Sequence, residues 1–245
     1  MKHITNLDGI VTGFNVTESY IDCMCGKELI KIEKHSNQRN YEQLGKWQLG
    51  NDLSSDICGM AVDKDTIYCS IRNGKIITLD RRSYLIKEFN VTDSSMWSIQ
   101  TYDKYLICGT VDGKLLLLDK TTLSIERTLV LGKKNIGSLY IYGETLYSAS
   151  HDGKLFKISM RNFEIESLMK SAHKKMFNCA GMYKDMLTTV SYPCSVIALW
   201  NKNTLEKVKV IKVPLSLSGR AYIENDFLYI SSRNILGIDM IKLDE

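Results

Sequence analysis

The chain has 245 residues, of which 44% are hydrophobic and 24% are charged, and its formal net charge is +4. This composition is typical of an ordered globular domain and excludes a chain that is disordered throughout. The positive charge is weaker than that of most dedicated nucleic-acid-binding domains. All-β domains of this length commonly form one unit with one sizeable core, and we predict a single domain over residues 1–245.

Two features of the sequence predict a cytoplasmic protein. The first ten residues, MKHITNLDGI, lack the apolar core of a secretory signal, and no apolar run approaches the roughly 18 residues that span a bilayer. The seven cysteines form an odd set, and Cys58, Cys69 and Cys108 lie within apolar runs. Such cysteines behave as small buried hydrophobes, whereas secreted disulfide frameworks more often have even numbers. We therefore expect seven free thiols and no contact with a membrane.

A hairpin-like unit recurs along the chain from about residue 20. Hairpins are predicted near residues 20–33, 66–80, 105–119, 145–159, 186–201 and 227–240. Three of them contain nearly the same phrase, NGKIITLD, DGKLLLLD or DGKLFKIS, after an apolar run. Asn-Gly and Asp-Gly between two strand-like runs favour tight turns, because those turns need the positive φ that glycine adopts at little cost.

Each central hairpin lies between two further apolar stretches. ICGMAV, MWSIQTY and IGSLYIY precede them, and SYLIKEF, LSIERTLV and FEIESLM follow. Four short strands in roughly 40 residues indicate one blade of a propeller. Six hairpins therefore predict an all-β, six-bladed β-propeller with four antiparallel strands per blade. The last blade lacks a fourth strand, and the chain begins with a spare one, MKHITNL. We predict that this N-terminal strand closes the last blade near Met240 to Lys242.

The repeated unit resembles that of the WD-repeat proteins. LYSASHDGKLFKIS has that family's small-residue second strand, Asp-containing turn and third strand. The nearest match to the family's Gly-His pair is Ala172-His173. The resemblance covers nearly the whole chain and implies degenerate repeats whose Asp-His-Ser-Trp hydrogen-bond network is incomplete. At the position of the name-giving dipeptide stand Leu79-Asp80, Leu118-Asp119, Ile158-Ser159, Trp200-Asn201 and Ile238-Asp239.

Three motifs that could indicate chemistry are better explained as structural features. The Gly-Lys pairs in the hairpin turns lack the following Ser or Thr, and the helix, of a phosphate-binding loop. Cys23 and Cys25 have no second cysteine pair at zinc spacing, and the four histidines are scattered. His151 and Asp152 are adjacent, but nothing supplies a positioned nucleophile. We predict no catalytic residue, no metal and no cofactor.

The predicted propeller has one basic face. In a four-stranded blade, the turn between the second and third strands shares one face with the connection to the next blade, and we call this the first face. The other two turns share the second face, which has mixed charge. Turns are commonly charged and solvated, so this bias alone does not prove binding. The basic residues of the first face are Lys27, Arg72, Lys75, Lys114, Lys133, Lys134, Lys154, Lys174 and Lys175.

Fold alone does not set function, but the resemblance implies a non-catalytic scaffold that binds a partner protein or peptide. An acidic partner fits the basic face, with aromatic and guanidinium anchors at the channel mouth. Two alternatives stay open: an enzyme with a metal or carboxylate site at that mouth, and an RNA-binding propeller with a continuous lysine stripe between exposed aromatics. The expected binding residues are Trp97, Phe177, Arg220, Lys75, Lys114, Lys133, Lys134, Lys154, Lys174 and Lys175.

Overall fold

A computed structural model describes residues 2–7, 11–25, 28–34, 41–48, 57–83, 85–174, 176–191, 196–212, 220–232 and 237–243. No helix long and apolar enough to cross a membrane occurs in this part of the chain. Its regular elements are 24 strands: β1 (Lys2–Asn6), β2 (Val11–Val16), β3 (Tyr20–Cys25), β4 (Glu28–Lys34), β5 (Tyr41–Gln48), β6 (Ile57–Val62), β7 (Thr66–Ile71), β8 (Lys75–Asp80), β9 (Ile86–Asn90), β10 (Met96–Tyr102), β11 (Tyr105–Thr110), β12 (Lys114–Asp119), β13 (Ile125–Val130), β14 (Ile136–Tyr142), β15 (Thr145–Ser150), β16 (Leu155–Ser159), β17 (Glu164–Met169), β18 (Phe177–Tyr183), β19 (Met186–Ser191), β20 (Val196–Asn201), β21 (Lys207–Lys212), β22 (Ala221–Glu224), β23 (Phe227–Ser232) and β24 (Gly237–Lys242).

The strands form six antiparallel sheets, which are the blades of a propeller. Blades 1 to 5 are β2–β5, β6–β9, β10–β13, β14–β17 and β18–β21, and blade 6 has the order β1-β24-β23-β22. The innermost strand of every blade contacts the innermost strand of the next, and β22 contacts β2, so the ring is closed around a central channel. The predicted all-β, six-bladed architecture is confirmed, and its hairpins lie where the sequence placed them.

Blade 6 takes strands from both ends of the sequence. β1 pairs antiparallel with β24, with Lys2 opposite Met240 and a register shift two residues later. The buried Leu7 and the partly buried Ile4 join an apolar cluster that also contains Tyr229 of β23. The first strand thus lies beside the last predicted strand, at the outer edge of the blade. How much this pairing stabilises the ring is a separate prediction, which we argue below.

The repeated turn phrase fixes the connections between blades. Gly74, Gly113 and Gly153 have φ of 79°, 85° and 83°. The carbonyl of Gly113 accepts hydrogen bonds from the N–H groups of Leu131 and Gly132, at 2.9 and 3.2 Å, and the other two glycines do the same for their own connections. A Cβ on Gly153 would lie 2.0 Å from a carbonyl oxygen of the connection. Glycine is therefore required at this position of the turn. Through its carbonyl, each of the three glycines fixes the following connection on the first face.

Apolar side chains fill the space between adjacent blades. There are six buried clusters, one at each junction. The second and third strands of a blade are covered on both sides, which is why their sequences read as nearly continuous apolar runs. The outermost strands are covered less, and β13 and β21 are largely exposed.

Polar side chains also bridge every junction, close to the second face. In each bridge one partner lies in or next to the turn after the third strand of a blade, and the other lies in the preceding blade. These charges and hydroxyl groups therefore serve to hold the ring together. The bridges are Asp22–Arg81, Asp63–Lys120, Arg127 to the Asn162 carbonyl, Tyr147 to the Lys202 carbonyl, Tyr183 to the Leu243 carbonyl, and Lys34–Glu224.

The described cysteines form no disulfide and are buried: Cys23, Cys25, Cys58, Cys69, Cys108 and Cys179. Burial raises the pKa of the Cys69 thiol to about 12, and the thiolate is the reactive form. We predict that the native protein reacts slowly with iodoacetamide at mildly alkaline pH, whereas the denatured, unreduced protein gives close to seven thiols. A denatured count lower by two would reveal a disulfide and contradict the predicted cytoplasmic location. Cys194 lies outside the described residues.

Candidate functional site

The innermost strands of blades 1 to 4 share a β-bulge at their first-face ends. In each strand the register shifts around one extra residue: Thr12, Cys58, Trp97 or Gly137. A bulged residue drops out of the ladder, so its backbone groups need other partners. The four bulges therefore place four backbone carbonyls without ladder partners around the first-face mouth of the channel.

The side chain of Arg220, which directly precedes β22, supplies that partner for all four carbonyls. Its Nε donates to the carbonyl of Thr12 at 3.3 Å, and one terminal nitrogen donates to Gly137. The other terminal nitrogen donates to Cys58 and, at 2.5 Å, to Trp97. A guanidinium has five N–H donors in a planar fork, and four of them are used here. One side chain of blade 6 thus binds blades 1, 2, 3 and 4.

Arg220 was predicted to be an anchor for a partner at the channel mouth, and its hydrogen bonds within the protein contradict this role. The side chain is partly buried in the channel, and desolvation lowers its pKa, although arginine keeps its charge in proteins. No carboxylate among the described residues forms an ion pair with it. Its backbone is fixed as well, because its N–H donates to Ser231 Oγ at 2.8 Å. The residue lies at the mouth as expected, but its donors face the protein's own backbone.

Phe177 is also wrongly predicted as an anchor, because its side chain is only 1% exposed. It pairs with Ser191 at the end of the second strand, as Met96 pairs with Thr110 in blade 3. Side chains at this position point between blades. In blade 5 the register shift comes later, after Cys179, so no bulge turns a neighbouring side chain into the mouth.

Trp97 does lie at the mouth, because it is the bulged residue of its strand. It is half-buried between the guanidinium of Arg72, 5.2 Å from the ring centroid, and the ring of His151, 5.8 Å away in an edge-to-face arrangement. His151 lies against Gly137, where a Cβ would be 2.4 Å from its Nε2. Burial lowers the pKa of His151, and so does the charge of Arg220. We call Arg72, Trp97 and His151 the mouth row.

Three lysines of the predicted basic face are paired within their own blades. Lys75 pairs with Glu88, Lys114 with Asp112 at 2.6 Å, and Lys154 with Asp152 at 2.5 Å. Burial opposes ionisation of Asp112, but hydrogen bonds from Lys114, Thr110 and Ser94 outweigh it and lower the pKa of this carboxyl. The basic character of these three turns is therefore largely cancelled.

The lysines on either side of blade 4 differ. Lys133 and Lys134 lie in the connection from blade 3, and Lys174 lies in the connection to blade 5. All three are exposed, and no ion pair to them occurs among the described residues. Lys175 and Lys27 lie outside those residues. Among the described lysines of the basic face, those without an ion pair to a described residue therefore lie at the rim of blade 4.

Blade 5 contains a hydrogen-bond network of the WD-repeat kind. The indole N–H of Trp200 donates to Thr189 Oγ1 at 2.7 Å, and the same oxygen lies 2.7 Å from Nε2 of His173. Because Thr189 accepts from Trp200, its own hydroxyl hydrogen can be donated to a neutral imidazole. No Asp takes part among the described residues, and Thr189 stands where the family has Ser, so the expectation of an incomplete network agrees with this geometry.

His173 is expected to make stability depend on pH. Burial, followed by the charge of Lys207, lowers the pKa of His173 to about 4. Between this value and the ordinary pKa near 6.5 the unfolded chain binds a proton that the native chain does not, so stability falls as pH falls through that window. We expect the wild type to lose about 1–2 kcal/mol more than His173→Asn between about pH 7 and pH 5. Equal losses in urea unfolding would contradict this.

No known family model matches the sequence, and no curated protein matches it, whereas solved structures do. The WD40 β-propeller domain of Doa1 superposes with a TM-score of 0.74 and 9% identity, covering 100% of this chain and 96% of that chain. The chain has the WD40 β-propeller fold. A chain of the mitotic checkpoint complex also matches, with a TM-score of 0.74, 10% identity and coverage of 98% and 93%. The computationally designed Ika8 protein matches at 0.62, with 10% identity and coverage of 99% and 100%.

These WD40 neighbours confirm the resemblance that the repeats indicated. At about 10% identity they establish the fold alone. The site of this protein must therefore be argued from its own residues. Among those described, no group of three or more His, Cys, Asp or Glu side chains is arranged to hold a metal.

Proposed function

We propose that this WD40 propeller is a non-catalytic scaffold that binds a partner protein or peptide through its first face. The observation that carries the proposal is the unequal use of the two faces. Charged and hydroxyl groups near the second face bridge neighbouring blades. The first face presents the mouth row and the exposed Lys133, Lys134 and Lys174 on connections fixed by backbone hydrogen bonds.

The structural neighbours support a protein as the class of partner. WD40 propellers commonly serve as interaction scaffolds, and one neighbour belongs to the mitotic checkpoint complex. A rigid ring also suits recognition, because loops that are already ordered lose little entropy on binding. We further propose that the protein acts in the cytoplasm, in agreement with the buried thiols of its described cysteines, which form no disulfide.

The two alternatives have less support. An enzyme at the channel mouth would need convergent carboxylates or histidines, but the mouth row is aromatic and basic. An RNA-binding propeller would need a continuous lysine stripe. Here the stripe is interrupted, because Asp112 and Asp152 neutralise the lysines of two adjacent turns.

Capture from native extract with matched variants tests the proposal. Immobilised Lys133→Glu/Lys134→Glu is compared with Lys64→Glu/Lys104→Glu, which changes the same number of charges at exposed second-face turns. We expect mass spectrometry to find proteins that the wild type and the second-face variant retain but the first-face variant loses. Partners lost only from the second-face variant, or retained by all three proteins, would overturn the choice of face.

A further inference from the structure

We infer that the partner contributes an acidic segment that lies across blade 4, between Lys133–Lys134 and Lys174, with a carboxylate side chain directed at the mouth row. This inference rests on the proposed function and specifies the chemistry of the partner. Three independent observations support it. They are the location of the lysines without ion pairs, the hydrogen bonds that fix the neighbouring backbone, and the side chains that lie between these lysines and the channel.

The unpaired positive charge is local. Asp152, the acidic residue in the turn of blade 4, is already bound by Lys154 at 2.5 Å. Behind this turn the partly buried guanidinium of Arg220 adds a charge that no described carboxylate neutralises. The exposed Asp93 lies in the connection between blades 2 and 3, on the far side of blade 3. An approaching anion is therefore attracted to blade 4 more than to the paired turns of blades 2 and 3.

The backbone directly before these lysines is fixed before any partner arrives. The carbonyl of Gly113 accepts hydrogen bonds from Leu131 and Gly132, directly before Lys133. The carbonyl of Gly153 accepts them from Ala172 and His173, at 2.9 and 3.3 Å, directly before Lys174. Both connections are thus fixed to the turns of blades 3 and 4. A preorganised backbone of this kind favours binding because little backbone order remains to be gained.

The mouth row gives such a segment an anchor. The half-buried indole of Trp97 offers an apolar surface to the methylene groups of a Glu side chain, and His151 borders it on the blade 4 side. Arg72 lies over the indole, 5.2 Å from the ring centroid, and adds a positive charge to the mouth row. Tryptophan and arginine are also the residue types that most often dominate binding energy.

A labelled deca-glutamate peptide is the probe for this inference, with fluorescence anisotropy at low and high salt as the measurement. The first-face variant is Lys133→Gln/Lys134→Gln/Lys174→Gln, and Lys64→Gln/Lys104→Gln is the control. We expect saturable binding to the wild type that the first-face variant weakens about tenfold, since each rim charge contributes about 0.5 kcal/mol. The control is expected to bind within about twofold of the wild type. Trp97→Ala is expected to weaken binding by a similar factor that persists at high salt, because its contact is largely apolar.

Three results would overturn the inference. The first is no saturable binding of deca-glutamate up to about 1 mM at low salt, which corresponds to about −4 kcal/mol. The second is equal weakening by the first-face variant and the control. The third is tighter binding of deca-uridylate with a steep salt dependence, which would indicate a nucleic acid instead. The proposed scaffold is judged separately: if extract proteins are still lost only from the first-face variant, the scaffold stands and only the acidic character of its partner is wrong.

Discussion

Replacing Arg220 by alanine is expected to lower the free energy of unfolding by about 3 kcal/mol, because four backbone carbonyls lose their donor at once. These carbonyls belong to bulged residues and have no place in the strand ladder. For a chain of this size we expect the midpoint of thermal unfolding to fall by about 6–12 °C. Differential scanning calorimetry of the wild type and Arg220→Ala measures both quantities.

Two further variants separate the role of the guanidinium from that of its charge. Arg220→Lys keeps the charge but replaces a planar fork by one ammonium group, which cannot reach carbonyls in four blades, so most of the loss is expected to remain. Arg72→Ala removes an exposed guanidinium from the same mouth, and we expect it to cost less than about 1 kcal/mol. If Arg220→Ala is as stable as Arg72→Ala, water satisfies the carbonyls equally well and the proposed tie has no energetic role.

The position of Arg220 also explains how the ring is held on both faces. On the second face, bridges such as Lys34–Glu224 connect each blade only to its neighbour. On the first face, one side chain from the last blade reaches backbone atoms in four others. Loss of a second-face bridge is therefore local, whereas loss of Arg220 affects most of the ring. This is why we expect its substitution to be the most damaging on the first face.

The hairpins could be predicted from sequence because their determinants are local. Gly74, Gly113 and Gly153 are needed for positive φ and for close contact with the next connection, and the apolar runs follow from strands covered on both sides. The face on which each turn lies could also be predicted, since it follows from the direction of the strands. What local patterns could not predict is pairing between blades, such as the ion pairs Asp22–Arg81 and Asp63–Lys120.

The role of Arg220 was missed because its partners are backbone atoms. A backbone carbonyl cannot be recognised from the amino-acid composition. An arginine at the start of a strand is normally predicted to lie on the surface. A signal does exist in the innermost strands of blades 1 to 4, which contain Val-Thr-Gly-Phe, Ile-Cys-Gly-Met, Met-Trp-Ser-Ile and Ile-Gly-Ser-Leu. Each bulge is marked by four consecutive residues, of which the first is apolar, the second is of any type, the third is small and the fourth is apolar. The sequence around Arg220 in the last blade lacks this pattern, which indicates that Arg220 has a role other than that of a bulged residue.

Removing residues 1–7 is expected to have the largest effect of all, about 5 kcal/mol of unfolding free energy, because it takes away a whole strand of blade 6. The truncated chain would lose the ladder between β1 and β24 and the packing of Ile4 and Leu7. It would also expose the edge of β24, whose Met240 is only 7% exposed in the intact protein. A loss of this size is comparable to the total stability of many domains, so the truncated chain is expected to be partly unfolded at room temperature.

Leu7→Ala separates packing from strand pairing in this test, because it keeps β1 but removes a side chain that is 6% exposed. A buried Leu→Ala change costs about 2–3 kcal/mol, so the substitution should fall between the wild type and the truncated chain in urea unfolding. An open sheet edge also favours association between molecules, and we expect the truncated chain alone to aggregate on heating. If it unfolds at the same urea concentration as the wild type and stays monomeric, β1 lies beside β24 without stabilising the ring. The bridges on the second face and Arg220 on the first would then be sufficient to close it.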